Sequence, residues 1–176
     1  MRRSLRPRLL LGMMLAVAGL ALSASSLTLA QSTDLPPWRV TPVPPLERAT
    51  ITVGSTPLDV ELAIEAWQQQ LGLGYRNGLE PGTGMLFPSD VTRTRTFWMK
   101  GMRFCLDIVW IDDGEIAGAA ESVCPDPPGT ADADRATFSS PGPVTDVLEV
   151  PAGWLKEHGY GAGTPVVLPD LPDSGL

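Results

Sequence analysis

Histidine occurs once and cysteine twice in 176 residues. That is too little to build a tetrahedral zinc site without carboxylates, and His158, Cys105 and Cys124 stand at no zinc-motif spacing. Ser139-Ser140-Pro141 lacks the Gly-x-Ser-x-Gly setting of a nucleophile elbow. No phosphate-cradling glycine loop precedes a helix, and no dinucleotide fingerprint occurs. The sequence therefore implies no cofactor and no metal, and it singles out no catalytic residue. Positive charge is scarce as well, with thirteen basic against twenty acidic residues and a net charge of −7. A chain this acidic repels phosphate backbones, which argues against a nucleic-acid partner. It argues equally against docking onto anionic lipid.

What basic charge there is begins at the N-terminus. Arg2, Arg3, Arg6 and Arg8 precede Leu9–Leu22, an apolar run without a charge that is shorter than the roughly 20 residues a spanning helix needs. Small residues follow, ending Thr28-Leu29-Ala30 before Gln31. This order of basic region, apolar region and small-residue site reads as a secretory signal over residues 1–30. Cleavage is expected near Ala30, which places the mature protein in the periplasm or outside the cell; an uncleaved N-terminal anchor is the alternative. The cleavage region has no cysteine for a lipoprotein anchor, and Arg2-Arg3 lacks the rest of a twin-arginine signal. The signal carries four of the thirteen basic residues and no acidic one, so the remainder has nine against twenty, a net charge of −11. Residues 31–48 form a proline-rich linker, with five prolines in DLPPWRVTPVPPLE (34–47) favouring an extended tether. Residues 49–168 suit one small domain, and the polar tail 169–176 is expected to be flexible.

Within the domain, 49–53 and 58–62 alternate apolar and polar residues around Gly54-Ser55, predicting strand, turn and strand. Helix formers over 63–71 place Ile64, Trp67 and Leu71 on one stripe. Further strands are expected at 85–87, 94–99 and 144–150, and at 166–168. Residues 107–112 and 115–123 read as a hairpin turned by Asp113-Gly114. Pro125–Arg135 reads as a surface loop, and a short helix over 151–158 opens with Pro and stops at Gly159. The sum is a mainly β, α+β domain: a small antiparallel curled sheet or barrel with two short helices.

GLGYRNGL (72–79), GMLFP (84–88), FWMKGM (97–102), LDIVWID (106–112) and VLEVPAGWLKEHGYGAG (147–163) follow one another in a familiar order. Together they resemble the domain of unknown function 192 family over nearly all of 49–168. The resemblance implies a compact β-rich domain that is often exported, and no established reaction. Two positions depart from the family pattern. Gly101 stands where the family usually has Asn, and Thr164 follows Gly163 where the family usually has Asp.

The stretch TFWMKGMRFCLDIVW (96–110) concentrates the candidate residues. In a strand Phe97 and Met99 face one way and Trp98 and Lys100 the other. One reading makes this a core hairpin, with Trp98 packed across from Trp110 or a neighbouring strand and Lys100 reaching outward. The other puts Trp98, Lys100 and Arg76 on the wall of a shallow pocket for a sugar or a carboxylate. Asp107 either caps a turn or pairs with Arg103 or Lys100, or else it is a polar anchor for the ligand. Asp107, Glu121 and Glu149 would be the carboxylates of an acid–base pair, were any two brought together. An even pair of cysteines in an exported chain favours a Cys105–Cys124 disulfide, two buried thiols being the alternative. If regular, the 107–120 hairpin leaves the two out of register, so a bulge near Gly118 or a bend at Pro125 must close the gap. The expected role is a non-catalytic ligand-binding or accessory module of the cell envelope. Its partner would be a small polar ligand or an envelope protein, and the mature form would not sit in a membrane. The alternative is a carboxylate-dependent envelope enzyme acting on carbohydrate or cell-wall material.

Overall fold

LDIVWID and DVLEVP scarcely alternate, and a strand without alternation is one buried on both faces. In the computed structural model, which describes residues 45–169, both lie at the centre of the molecule. β1 (Arg48–Val53) and β2 (Thr56–Leu62) form a hairpin, and a crossover carrying α1 (Ala66–Leu71) leads to β3 (Thr83–Phe87), parallel to β2. β4 (Thr96–Trp98) is followed by the hairpin of β5 (Leu106–Asp112) and β6 (Glu115–Val123). β7 (Thr137–Ser139), β8 (Asp146–Pro151), α2 (Trp154–His158) and β9 (Val166–Val167) complete the chain. Seven strands form one sheet in the order β6-β5-β8-β3-β2-β1-β9, while β4 and β7 make a separate ribbon.

The large sheet curls into a half-barrel. At one end its outer strands meet: the Ile116 N–H donates to the Thr164 carbonyl (2.9 Å) and the Val166 N–H to that of Gly114 (2.7 Å). Thr164, in the place of the family's Asp, accepts from the Gly161 N–H through Oγ1 at 3.1 Å, so its hydroxyl closes the turn without a carboxylate. The concave side holds an apolar core drawn from β1, β2, β3, β5, β6, β8 and β9, plugged by Trp154 and Leu155 of α2. The outer face of β3, β5 and β8 holds a second core, where Met85, Phe87, Ile108, Trp110 and Val147 are covered by Leu73, Met99 and the β4–β7 ribbon. Phe97 of β4 packs edge-on to Phe87 (5.0 Å between centroids) and Trp110 (5.7 Å).

The β5–β6 ladder slips twice, between Trp110 and Ile111 and between Leu106 and Ile108. Each slip inserts one extra residue in β6, a bulge. Together they bring Val123 opposite Leu106, and Cys124 opposite Cys105 with a Cα separation of 4.1 Å, where the two form a disulfide. The bulge anticipated near Gly118 is one of the pair; the other lies at Ser122, which adopts φ +52°.

Several boundaries move. The first helix starts at Ala66 rather than Ala63, because the Ala63 N–H extends the β3 ladder to the Leu86 carbonyl (2.8 Å). Gln68 Oε1 then accepts from the N–H groups of Ile64 and Glu65, both at 2.7 Å, and fixes that start. The second helix does not open with Pro151, which ends β8; Gly153 at φ +83° turns the chain and α2 begins at Trp154. β7 follows the Pro125–Arg135 loop, where no strand was expected; its residues gain order by pairing with β4. The expected leader, the linker up to residue 44 and the tail beyond residue 169 lie outside the described residues.

Candidate functional site

A cleft of about 370 Å³ opens between the C-terminal half of α1 with its following turn (Gln69–Leu73) and the segment 93–98, with Glu149 in its lining. The cleft follows from the second core. The β4–β7 ribbon covers Phe87 and Trp110, α1 and its turn cover Met85, and the space left between the two covers is the cleft.

Glu149 belongs to β8 and is directly opposite Met85 on one side and Ile108 on the other. It therefore shares their face and projects into the second core. Only 6% of it is exposed, and its Oε2 has no hydrogen-bond partner among the described residues. Burial pushes its pKa up from 4.5 to about 8, against the opposing pull of Arg76. At neutral pH it is a carboxylic acid with a proton to donate.

Three cations share the cleft lining with it. Arg93 and Arg95 lie two residues apart in the extended TRTRT run and both line the cleft. The Arg95 side chain is buried. Its Nη1 donates to the Thr145 carbonyl (3.2 Å) and its guanidinium stands 6.0 Å from the Phe97 ring. Burial, then the charge of Arg93, lowers its pKa, though an arginine remains a cation at any physiological pH. Lys100 pairs with Asp132 of the acidic loop and stands 5.0 Å above the Trp98 ring. That contact, with a second bond from Arg135, holds the Asp132 carboxyl below its usual range. Trp98 itself is 43% exposed.

Trp98 and Lys100 therefore border one cleft, as the pocket reading had it. Trp98 does not pack against Trp110; Phe97 does. Arg76 is placed elsewhere, in a bidentate pair with Glu61 (2.8 and 2.6 Å), outside the lining of the cleft. Asp107 is completely buried, facing the opposite way. Its Oδ1 accepts from the N–H groups of Ser122 (2.7 Å) and Gly153 (3.0 Å), and its Oδ2 from that of Leu155 (3.1 Å). It caps α2 and fixes the second bulge, and it pairs with neither Arg103 nor Lys100. Glu121 lies exposed on β6.

Arg93 and Arg95 were not singled out from the sequence, and Glu149 only as one of three loose carboxylates. A signal was present in each case. One acid stands inside the apolar run VLEV, and two arginines at strand spacing lead into a core Phe. Among the described residues no group of three or more His, Cys, Asp or Glu side chains is placed to hold a metal.

The sequence profile of the domain of unknown function 192 family, described as an uncharacterized ACR, matches residues 49–168. A crystal structure from Sinorhizobium meliloti 1021, of a protein proposed to be a transcription regulator, superposes with a TM-score of 0.62 at 31% identity, covering 69% of this chain and 93% of that one. A protein of unknown function from Novosphingobium aromaticivorans DSM 12444 superposes at 0.64 with 27% identity, covering 73% and 90%. No curated protein matches the chain.

Proposed function

The chain belongs to the domain of unknown function 192 family, and from that premise we propose that it is an exported, non-catalytic binding module of the cell envelope. Its cleft takes a small polar ligand, a sugar or a carboxylate. The observation that carries this reading is Trp98. Large apolar side chains in the stretch 96–110 fill one core or the other, yet this indole stays open at the cleft with a lysine over its face. An exposed ring beside hydrogen-bonding groups is how proteins grip sugars and small polar molecules.

Export is supported by the leader-like order of residues 1–30 and by the Cys105–Cys124 disulfide, a bond that persists in oxidising compartments. No helix among the described residues is long and apolar enough to cross a membrane. Acid–base hydrolysis is less well supported, because it needs two converging carboxylates. Asp107 is engaged by three amides and Glu121 points to solvent, which leaves Glu149 as the single carboxylate of the cleft lining. Gene regulation, suggested by the description of one structural relative, is less well supported by a chain with thirteen basic against twenty acidic residues.

The test is a thermal-shift screen of the purified protein against sugars, cell-wall fragments and small carboxylates. A ligand at a hundred times its Kd adds about 2.7 kcal/mol of stability. The reading expects a stabilising ligand whose effect falls in Trp98→Ala. A ligand that stabilises both proteins equally would remove the cleft from consideration. Sequencing the N-terminus of the exported form checks the compartment, with a start near Gln31 expected.

A further inference from the structure

The cleft lining contains three cations and one acid. Lys100 is already matched by Asp132, and Arg76, the cation whose charge reaches Glu149, is matched by Glu61. Arg93 and Arg95 have no such carboxylate within salt-bridge distance among the described residues. Asp146 is the acidic group whose charge reaches Arg95, and it is itself buried, bonded to Thr145 Oγ1 (2.6 Å) and raised in pKa by that burial. The lining is thus positive within an acidic chain. In the same lining a buried carboxyl oxygen, Glu149 Oε2, has no partner among the described residues. Buried polar atoms are almost always satisfied, so an orphan at the base of an open cleft marks a place for a ligand atom.

Resting on the cleft reading above, we infer that the site is a carboxylate subsite. Glu149 donates its Oε2 proton to one oxygen of a ligand carboxylate, and Arg93 and Arg95 supply the countercharge. A neutral sugar would use the orphan oxygen but leave exposed Arg93 and buried Arg95 without a salt-bridge partner. A carboxylate answers both, through charge-assisted bonds of about twice the ordinary strength. The proton comes from Glu149 itself, and no bond other than hydrogen bonds is made or broken. Binding follows the protonation of Glu149. It is full where the ligand is ionised and Glu149 is not, and it weakens as pH rises through about 8, where two carboxylates would face each other. The charge that reaches Glu149 is that of Arg76, paired with Glu61 of β2; Arg93 and Arg95 ahead of β4 and Lys100 after it line the same cleft.

The probes are acetate, succinate and D-glucuronate, each paired with its neutral counterpart acetamide, succinamide or D-glucose. All are titrated into isotopically labelled protein and followed by amide and indole NMR shifts. At least one carboxylate is expected to bind at pH 6.5 with ten-fold or greater preference over its counterpart, and to weaken at least ten-fold by pH 9.5. Glu149→Gln keeps a neutral donor, so it should bind the same probe with no dependence on pH over that range. Glu149→Leu should lose at least ten-fold while remaining folded. Arg93→Met, at an exposed position, should weaken the carboxylate and leave the neutral probe unchanged. If none of the three carboxylates binds, the inference is overturned. If neutral probes bind as well as charged ones and Trp98→Ala abolishes both, the cleft reading stands and the carboxylate inference falls.

Discussion

On the concave face of the sheet Asp107 receives three backbone N–H bonds, whereas on the outer face of the neighbouring strand Glu149 leaves Oε2 without a partner among the described residues. Both side chains are buried and both interrupt an apolar run. The difference lies in what surrounds them. Asp107 meets backbone donors that a bulge and a helix start would otherwise leave unpaired, so its charge completes the fold. Glu149 meets Met85, Ile108 and the cleft, so its charge is a liability to the fold. A carboxylate that satisfies the backbone explains itself by structure alone; a buried carboxyl with an unmet oxygen does not.

The sharpest way to break this contrast is through pH. The carboxyl of Glu149 has a folded pKa of about 8 against an ordinary 4.5. The folded state therefore holds its proton more tightly than the unfolded state does. The penalty is absent below 4.5, grows by as much as about 1.4 kcal/mol per pH unit as pH rises, and is complete above 8. Glu149→Gln removes it. The variant should match the parent at pH 4.5 and exceed it by several kcal/mol at pH 9, measured by urea unfolding of both proteins. Glu61 and Asp132, whose pKa values are lowered, titrate alike in the two proteins and cancel in the difference. A constant gap across that range would mean that Glu149 is charged throughout, and the contrast with Asp107 would fail.

Asp107→Ala tests the other side. One buried and two part-buried N–H groups lose their acceptor, and the expected loss is about 3 kcal/mol in denaturant unfolding. The opposite sign from Glu149→Gln at neutral pH is the point of the pair. Reduction of the Cys105–Cys124 bond, which closes a separation of 19 residues, should remove roughly 3 kcal/mol or somewhat less. The bond and Asp107 stabilise the same bulged end of β5–β6, so the two losses should fall short of additive.

These contacts also mark how far the sequence could be read. Most strand positions, the hairpin at Asp113-Gly114 and the cysteine pair follow from local alternation, turn chemistry and the even cysteine count, and the structure agrees. Two bulges are long-range events: what holds Ser122 at φ +52° is a carboxylate fifteen residues away. Likewise β7 exists only because β4 is there to pair with it. The cleft was legible in part. Trp98 and Lys100 stood out by composition, but Arg76 was drawn off by Glu61, a partner on β2. Arg95 and Glu149 come to line one cleft through the packing of a ribbon over a sheet, which no spacing encodes. The family's Asn at position 101 is a simpler case: Gly101 sits at φ +77°, a conformation that Gly and Asn tolerate best. The exchange keeps the turn.

Trp98→Ala carries the smallest expected effect on the fold and for that reason the cleanest test of the cleft. A buried tryptophan in either core would cost about 3–5 kcal/mol on truncation. Trp98 is 43% exposed and sits on a two-stranded ribbon, opposite Thr137. What its removal takes away is the lysine contact over the ring, worth about 0.5–1 kcal/mol at an exposed site, with a little apolar contact besides. Lys100 keeps Asp132 in either case. The loss of stability should therefore be about 1 kcal/mol, while affinity for any ligand stacked on the indole falls by ten-fold or more. A loss near 4 kcal/mol, with affinity unchanged, would return Trp98 to the core and make the outer face as purely structural as the inner one.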